Sequence, residues 1–253
     1  MGKQHSFVKL SGRVGDISLM QTRNGFRARQ ATGIDGRRIK NDPSFLRTRW
    51  AMAEFTEVAK ASSLIQQAIQ YSTSQVKDPL FRRRLSSLLH KIKVLDVNNL
   101  LGSRKIAEGV QHPDASWLLK QIDVNSDNPL PMVCSSIRYQ IDRTTGVISF
   151  KNFKPSTDVL KALNCHKLGF NSLWVNIDFE GKTFNAKFAT EVMIEPNDQL
   201  QDITLSLPEL PSGNGMNFVF LKILNYYENT DGSAFLGQEL GYNSFGLIDA
   251  YLP

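Results

Sequence analysis

Four histidines, His5, His90, His112 and His166, and two cysteines, Cys134 and Cys165, are the side chains best suited to hold a transition metal or act as nucleophiles. No histidine stands four residues from another, the helical spacing that aims two imidazoles at one ion. Cys165 and His166 are adjacent, and neighbours on a strand point to opposite faces, so this pair reads as structural. The chain holds no C-x-x-C, H-E-x-x-H, G-x-S-x-G or G-x-x-x-x-G-K-[ST]. Metal, acyl-transfer and P-loop chemistry therefore lack residues to carry them, and no cofactor is expected. Asp178, Glu180, Glu191 and Glu195 contain the makings of a glycosidase carboxylate pair. Acids at strand edges more commonly keep a sheet soluble and its edges unpaired, and that reading is preferred.

The chain is rich instead in guanidinium groups. Its opening stretch LSGRVGDISLMQTRNGFRARQATG carries Arg13, Arg23, Arg27 and Arg29 within seventeen residues. The glycines of SGRVGD form a G-x-x-G, which clamps RNA backbone when it joins two helices; here it joins strands, and a turn explains it better. Further along, Arg37, Arg38, Arg82, Arg83, Arg84 and Lys91 offer phosphate contacts, without the interleaved aromatics that single-strand binders use.

The formal charge of +6 is unevenly spread. Residues 1–110 hold 20 Lys and Arg against 8 Asp and Glu, a net +12, while residues 111–253 hold 10 against 16, a net −6. Such a division suits a basic nucleic-acid arm on an acidic body, or two ends that attract one another between subunits. Two cysteines are too few for a disulfide scaffold and read as reduced thiols. The first residues lack the apolar run of a signal peptide, and no stretch approaches the ~18 apolar residues of a membrane span. A cytoplasmic protein without membrane contact is the expectation.

The elements that must position these groups follow from periodicity. Residues 7–32 read as a three-stranded meander, Phe7 to Ser11, Val14 to Thr22 and Phe26 to Ala31. Asn24-Gly25 suits a type I′ turn, which pairs Arg23 with Phe26 and Gln21 with Ala28. One face then carries Ile17, Leu19, Phe26 and Ala28, the other Met20, Thr22, Arg27 and Arg29. So small a sheet with one apolar face is marginal alone and must lean on a partner. GIDGRRIK, residues 33–40, reads as a loop. Asp42-Pro43 and Asp78-Pro79 are helix starts. The first helix places Phe45, Met52, Phe55 and Ala59 on one face and Val58, Ile65 and Ile69 on another, so a bend is expected near Ala61 to Ser63. The second, about 79–95, aligns Phe81, Leu85, Leu88, Leu89, Ile92 and Leu95.

The joining region 96–133 reads as a connection with one short helix. Beyond it the pattern is β: a hairpin with Ile137, Tyr139 and Ile141 before a turn at Thr144 to Gly146 and the strand Val147 to Phe150. Strands at Ser172 to Phe179, Thr183 to Ile194, Asp202 to Leu207, Met216 to Tyr227 and Ser244 to Leu252 follow. MNFVFLKIL is apolar nearly throughout, as in a central strand covered on both faces. The expected class is α+β: an N-terminal β-meander, a central helical pair and a C-terminal β-sandwich, Ig-like or jelly-roll-like. The expected divisions are a basic arm over 1–40, helices over 41–110, a linker over 111–133 and a sandwich over 134–253.

The string Lys9-Leu10-x-Gly12-x-x-Gly15-Asp16-Ile17, the Asn24-Gly25 turn and Arg29 resemble an uncharacterised family of Bacteroidota proteins of similar length. So does the segment Arg38-Ile39-Lys40-Asn41-Asp42-Pro43-x-Phe45-x-Arg47-Thr48-Arg49. The resemblance implies helices next and then a β-rich half, here including PSGNGMNFVFLKILNYYENTDG and GYNSFGLIDAYLP. Leu19-Met20 departs from it where an aromatic pair is the rule. No activity comes with it.

These features point first to a non-enzymatic structural subunit that self-assembles head to tail, as filament or ring. Arg13, Arg23, Arg27, Arg29, Ile17, Leu19 and Phe26 would lie at its contact. The alternative is a nucleic-acid-binding or nucleoid-associated protein using Arg37, Arg38, Arg82, Arg83, Arg84 and Lys91. A carbohydrate-binding jelly roll and a component of a phage-like particle are the weaker readings, the former needing Trp174, Tyr226 and Tyr227 on one exposed face.

Overall fold

The computed structural model describes the chain apart from residues 1, 5–6, 31–32, 77, 136–137, 161–164, 229–233 and 238–242. The chain divides into two compact units, Met1–Ala51 and Met52–Pro253.

Four short strands form the sheet of the first unit: β1 (Gly2–Lys3), β2 (Gly12–Val14), β3 (Ile17–Thr22) and β4 (Gly25–Gln30), in the order β1-β4-β3-β2. All ladders are antiparallel. The expected meander is present as β2, β3 and β4, with three corrections. Phe7 to Ser11 is not a strand, because the Gln4 side-chain amide takes the place of one: it accepts from Leu10 N and donates to Leu10 O, both at 3.1 Å. The expected strand Val14 to Thr22 is broken at the Gly15-Asp16 turn, where Gly15 is left-handed with φ +56°. The β3–β4 register also differs, with Gln21 opposite Phe26 and Leu19 opposite Ala28. Type I′ geometry needs a left-handed Asn24; only Gly25 is left-handed, at φ +95°, so Arg23-Asn24 form the loop and Thr22 closes on Gly25. Sliding the pairing by two residues preserves side-chain parity, and the two faces come out as expected. Ala31 lies outside the described residues.

The expected loop at 33–40 contains α1 (Gly36–Asn41). Asp35 accepts from Arg37 N at 3.0 Å as its N-cap, and Arg49 donates to the carbonyls of Ile39 and Asp42 at its far end. Asp42 then caps a 3-10 turn, Pro43–Phe45, as the Asp-Pro pair predicts.

The helix α2 (Leu46–Thr73) is one unbroken helix of 28 residues. Its buried stripe is the one through Val58, Ile65 and Ile69, while Met52 and Phe55 are exposed. Ala61, Ser62, Ala68 and Ser72 lie in the same stripe, and such small side chains let the helix sit close against the core. The helix α3 (Phe81–Val94) buries Phe81, Leu85, Leu88, Leu89 and Ile92 at the predicted spacing. The stretch up to 133 carries three short helices, α4 (Ile106–Gly109), α5 (Pro113–Leu119) and α6 (Leu130–Val133). It buries Leu119, Ile122, Val124, Leu130 and Val133.

The β-rich half comprises β5 (Tyr139–Asp142), β6 (Val147–Phe153), the short helix α7 (Pro155–Asp158), β7 (Lys167–Asp178), β8 (Thr183–Phe188), β9 (Val192–Ile194), β10 (Gln201–Ser206), β11 (Met216–Glu228), β12 (Ala234–Leu236) and β13 (Ser244–Tyr251). The expected strand Thr183 to Ile194 is thus two strands, both paired with β7. Ile137 of the expected hairpin lies outside the described residues, while its turn is closed by Gly146 at φ +70°.

The larger sheet has β11 and β7 at its centre, β12 and β13 along one side of β11, and β8 and β9 along the far side of β7. The smaller sheet has the order β10-β6-β5. Strand parity makes three layers of the second unit. Leu173, Val175, Ile177, Phe218, Phe220 and Phe245 share a core with the α2 and α3 stripes. From the opposite face Phe170, Trp174, Val219, Leu221 and Ile223 meet Ile148, Phe150, Phe153, Ile203 and Leu205 of the smaller sheet. The central strand β11 is therefore covered on both faces, as its unbroken apolar run requires.

Candidate functional site

The basic N-terminal sheet concentrates the charge that stood out in the sequence. Ser18 of β3 lies opposite Arg13 on one side and Arg29 on the other, so both arginines fall in one row across three strands. Arg27 stands next along β4, opposite Met20, on the same face. Arg13, Ser18, Arg29 and Gln30 line a groove together with Asp35, which caps α1. Arg13 Nε donates to the Gly15 carbonyl at 3.0 Å, which orients its guanidinium. Arg23 is not part of the row: it sits in the β3–β4 turn.

The other face carries Val14, Ile17, Leu19, Phe26 and Ala28. Val14 and Ile17 are exposed, and Leu19 and Phe26 are half-buried. No described residue of this unit is buried. The sheet thus has an arginine face, an apolar face and, among its described residues, no buried interior.

The second basic group is more dispersed. Arg38 pairs with Asp42 at 3.1 Å. Arg84 is drawn inward by Asp78 at 2.6 Å and by the Val124 carbonyl. Asp78 is acidic for a carboxyl, its pKa falling to about 2: burial works against its charge, but hydrogen bonds from Ser126, Leu80 N and Arg84 outweigh it. Arg37, Arg82, Arg83 and Lys91 are exposed, Arg37 in the first unit and the others on α3.

Most of the described groups considered for catalysis have a structural occupation, while His5 lies outside the described residues. His166 Nδ1 stands 3.3 Å from Glu228. Cys134 and Cys165 are free and buried, and burial pushes the thiols up to about 12 and about 11. Among the described residues no three of His, Cys, Asp and Glu converge as a metal set. Asp178 closes the β7–β8 turn by accepting from Glu180 N and Gly181 N, Glu180 pairs with Lys105, and Glu191 accepts from the Tyr226 hydroxyl at 2.9 Å. Glu195 is exposed beyond β9. Trp174 is fully buried in the sandwich, so it forms no surface patch with Tyr226 and Tyr227.

Several polar elements left no trace in the local sequence. Lys93 and Glu54 form a buried ion pair at 2.5 Å between α3 and α2, and Glu54 also accepts from Gly102 N. Asp249 is buried on β13 between Arg143, at 2.8 and 3.1 Å, and Lys120. Partners 39 and 106 residues apart cannot be matched by spacing. The edges of the larger sheet differ as well. Ile122 to Val124 seal β13, through Leu247 N to Ile122 O and Val124 N to Phe245 O, both 2.8 Å. Strand β8 is paired only with β7, and among the described residues no backbone bond reaches its outer side. The alternation in TFNAKF does hint at such an edge.

No described helix is long and apolar enough to cross a membrane. Compared with protein-family models, curated proteins and solved structures, the chain matches none.

Proposed function

We propose that this chain is a non-enzymatic structural subunit that self-associates head to tail, its basic N-terminal strands meeting the acidic sandwich of a neighbour. One observation carries the reading: the first 51 residues fold into an amphipathic sheet and helix without a single buried residue among those described. Short strands with an uncovered apolar face gain stability only by burying it on something else. The opposite charges of the two halves favour a second copy as that partner. A contact between unlike surfaces closes into a ring or continues as a filament.

Electron microscopy and sedimentation of the full chain beside residues 41–253 test it. Rings, filaments or oligomers from the full chain alone are expected; two equally monomeric samples would overturn the reading. The exposed Arg37, Arg82, Arg83 and Lys91 favour nucleic acid as the second reading. A DNA or RNA mobility shift, abolished when Arg82 and Arg83 are changed to Glu, would establish it in place of the first.

A further inference from the structure

The self-association proposed above needs an acceptor, and we infer that it is the open edge of β8, taken up by residues 7–11 of a second copy as an added antiparallel strand. The inference rests on that reading and adds the surface and the segment.

The donor is a segment whose side chains are those of a strand but which lies outside every described strand. Phe7 is fully exposed, at 103% of its reference area, and Leu10 is exposed as well. Among the bonds that shape the segment are those of the Gln4 amide to Leu10 N and O and of Lys9 Nζ to the Gln4 carbonyl at 3.0 Å. Those are replaceable bonds: a neighbouring strand offers the same donor and acceptor from its backbone.

The acceptor is the edge that the fold leaves open, in contrast to the sealed β13. Phe184 and Phe188 are each 40% exposed there. Their ladder partners Ile177 and Leu173 belong to the core beneath the helices, so both rings lie on the helix side of the edge. Lys187 and its ion-pair partner Glu209 mark the opposite side. An extended segment alternates in the same way, with Val8 and Leu10 on one side and Phe7 and Lys9 on the other. Seated on β8, it brings Val8 and Leu10 to the two phenylalanines and Lys9 to the side of Glu209. Charge agrees: residues 3–13 carry Lys3, Lys9 and Arg13 without a carboxylate, while residues 178–195 carry Asp178, Glu180, Glu191 and Glu195 against Lys182 and Lys187. Exposed aromatic edge strands associate with other chains unless something covers them, and the basic arm fits that purpose.

Mixed cysteine variants test this. One full-length chain carries Leu10→Cys and another carries Phe184→Cys or Phe188→Cys; the buried Cys134 and Cys165 leave the background low. Oxidation of the mixture is expected to give a linked dimer in several-fold higher yield than Leu10→Cys mixed with Trp117→Cys, an exposed site elsewhere on the second unit. If sedimentation shows association but the β8 mixture links no better than the control, this acceptor is wrong while self-association stands. If the chain does not associate at all, both fall. If a chain carrying both cysteines links only to itself at high dilution, the strand serves its own chain and the inference is overturned.

Discussion

At the scale of single residues, Asp123 is a carboxyl whose burial changes its protonation near neutral pH. Its Oδ2 accepts from Leu130 N at 2.9 Å, its Oδ1 is buried without a hydrogen-bond partner, and burial pushes its pKa up to about 7. An unfolded aspartate titrates near 3.9, so the folded chain binds the extra proton between about pH 4 and pH 7. Stability from this group is therefore full below that window and lost as pH rises through 7. His90 pulls the other way near neutrality, because burial and Lys93 lower its pKa. The informative quantity is the difference between two chains: Asp123→Asn keeps an acceptor for Leu130 N and has no proton to lose. Urea melts at pH 5.5 and 8 are expected to show Asp123→Asn gaining stability relative to wild type at pH 8. Equal gains at both pH values would mean that Asp123 is already ionised at the lower one.

At the scale of elements, close approach is decided by glycine where backbone meets backbone. A Cβ on Gly109 of α4 would stand 2.3 Å from the Ile92 carbonyl oxygen of α3. Gly109→Ala must push the two helices apart, and overpacking of this kind costs about 1–3 kcal/mol. A lowered urea midpoint with an unchanged slope is the expected result. Helix α3 was legible because its large apolar side chains fall three and four apart on one face. Helix α2 misled because two of its large apolar residues, Met52 and Phe55, are not in the buried stripe. Phe55 instead lies against the His90 ring at 5.7 Å, near the surface.

At the scale of the whole molecule, the proposed self-association is tested through its charge. Exposed charges are screened over ~10 Å at 0.1 M salt and over ~3 Å at 1 M. Association through the +12 and −6 halves is expected to weaken several-fold between those salts, as read by sedimentation equilibrium. Association that strengthens with salt would point to the apolar face of the N-terminal sheet as the dominant contact.

The sequence by itself determined the α+β class, the α3 face, the doubly covered β11 and the division of the N-terminal sheet into arginine and apolar faces. All four rest on local periodicity, which a period of 2 or 3.6 writes directly into the chain. Periodicity is also forgiving: sliding the β3–β4 pairing by two residues moved the turn but left every side chain on its face. Only the tertiary structure decided that the helices roof the larger sheet, that Lys93 meets Glu54 and Arg143 meets Asp249, and that β13 is sealed while β8 stays open. Those outcomes depend on which distant segments come to lie side by side, and no spacing within a strand or helix encodes that.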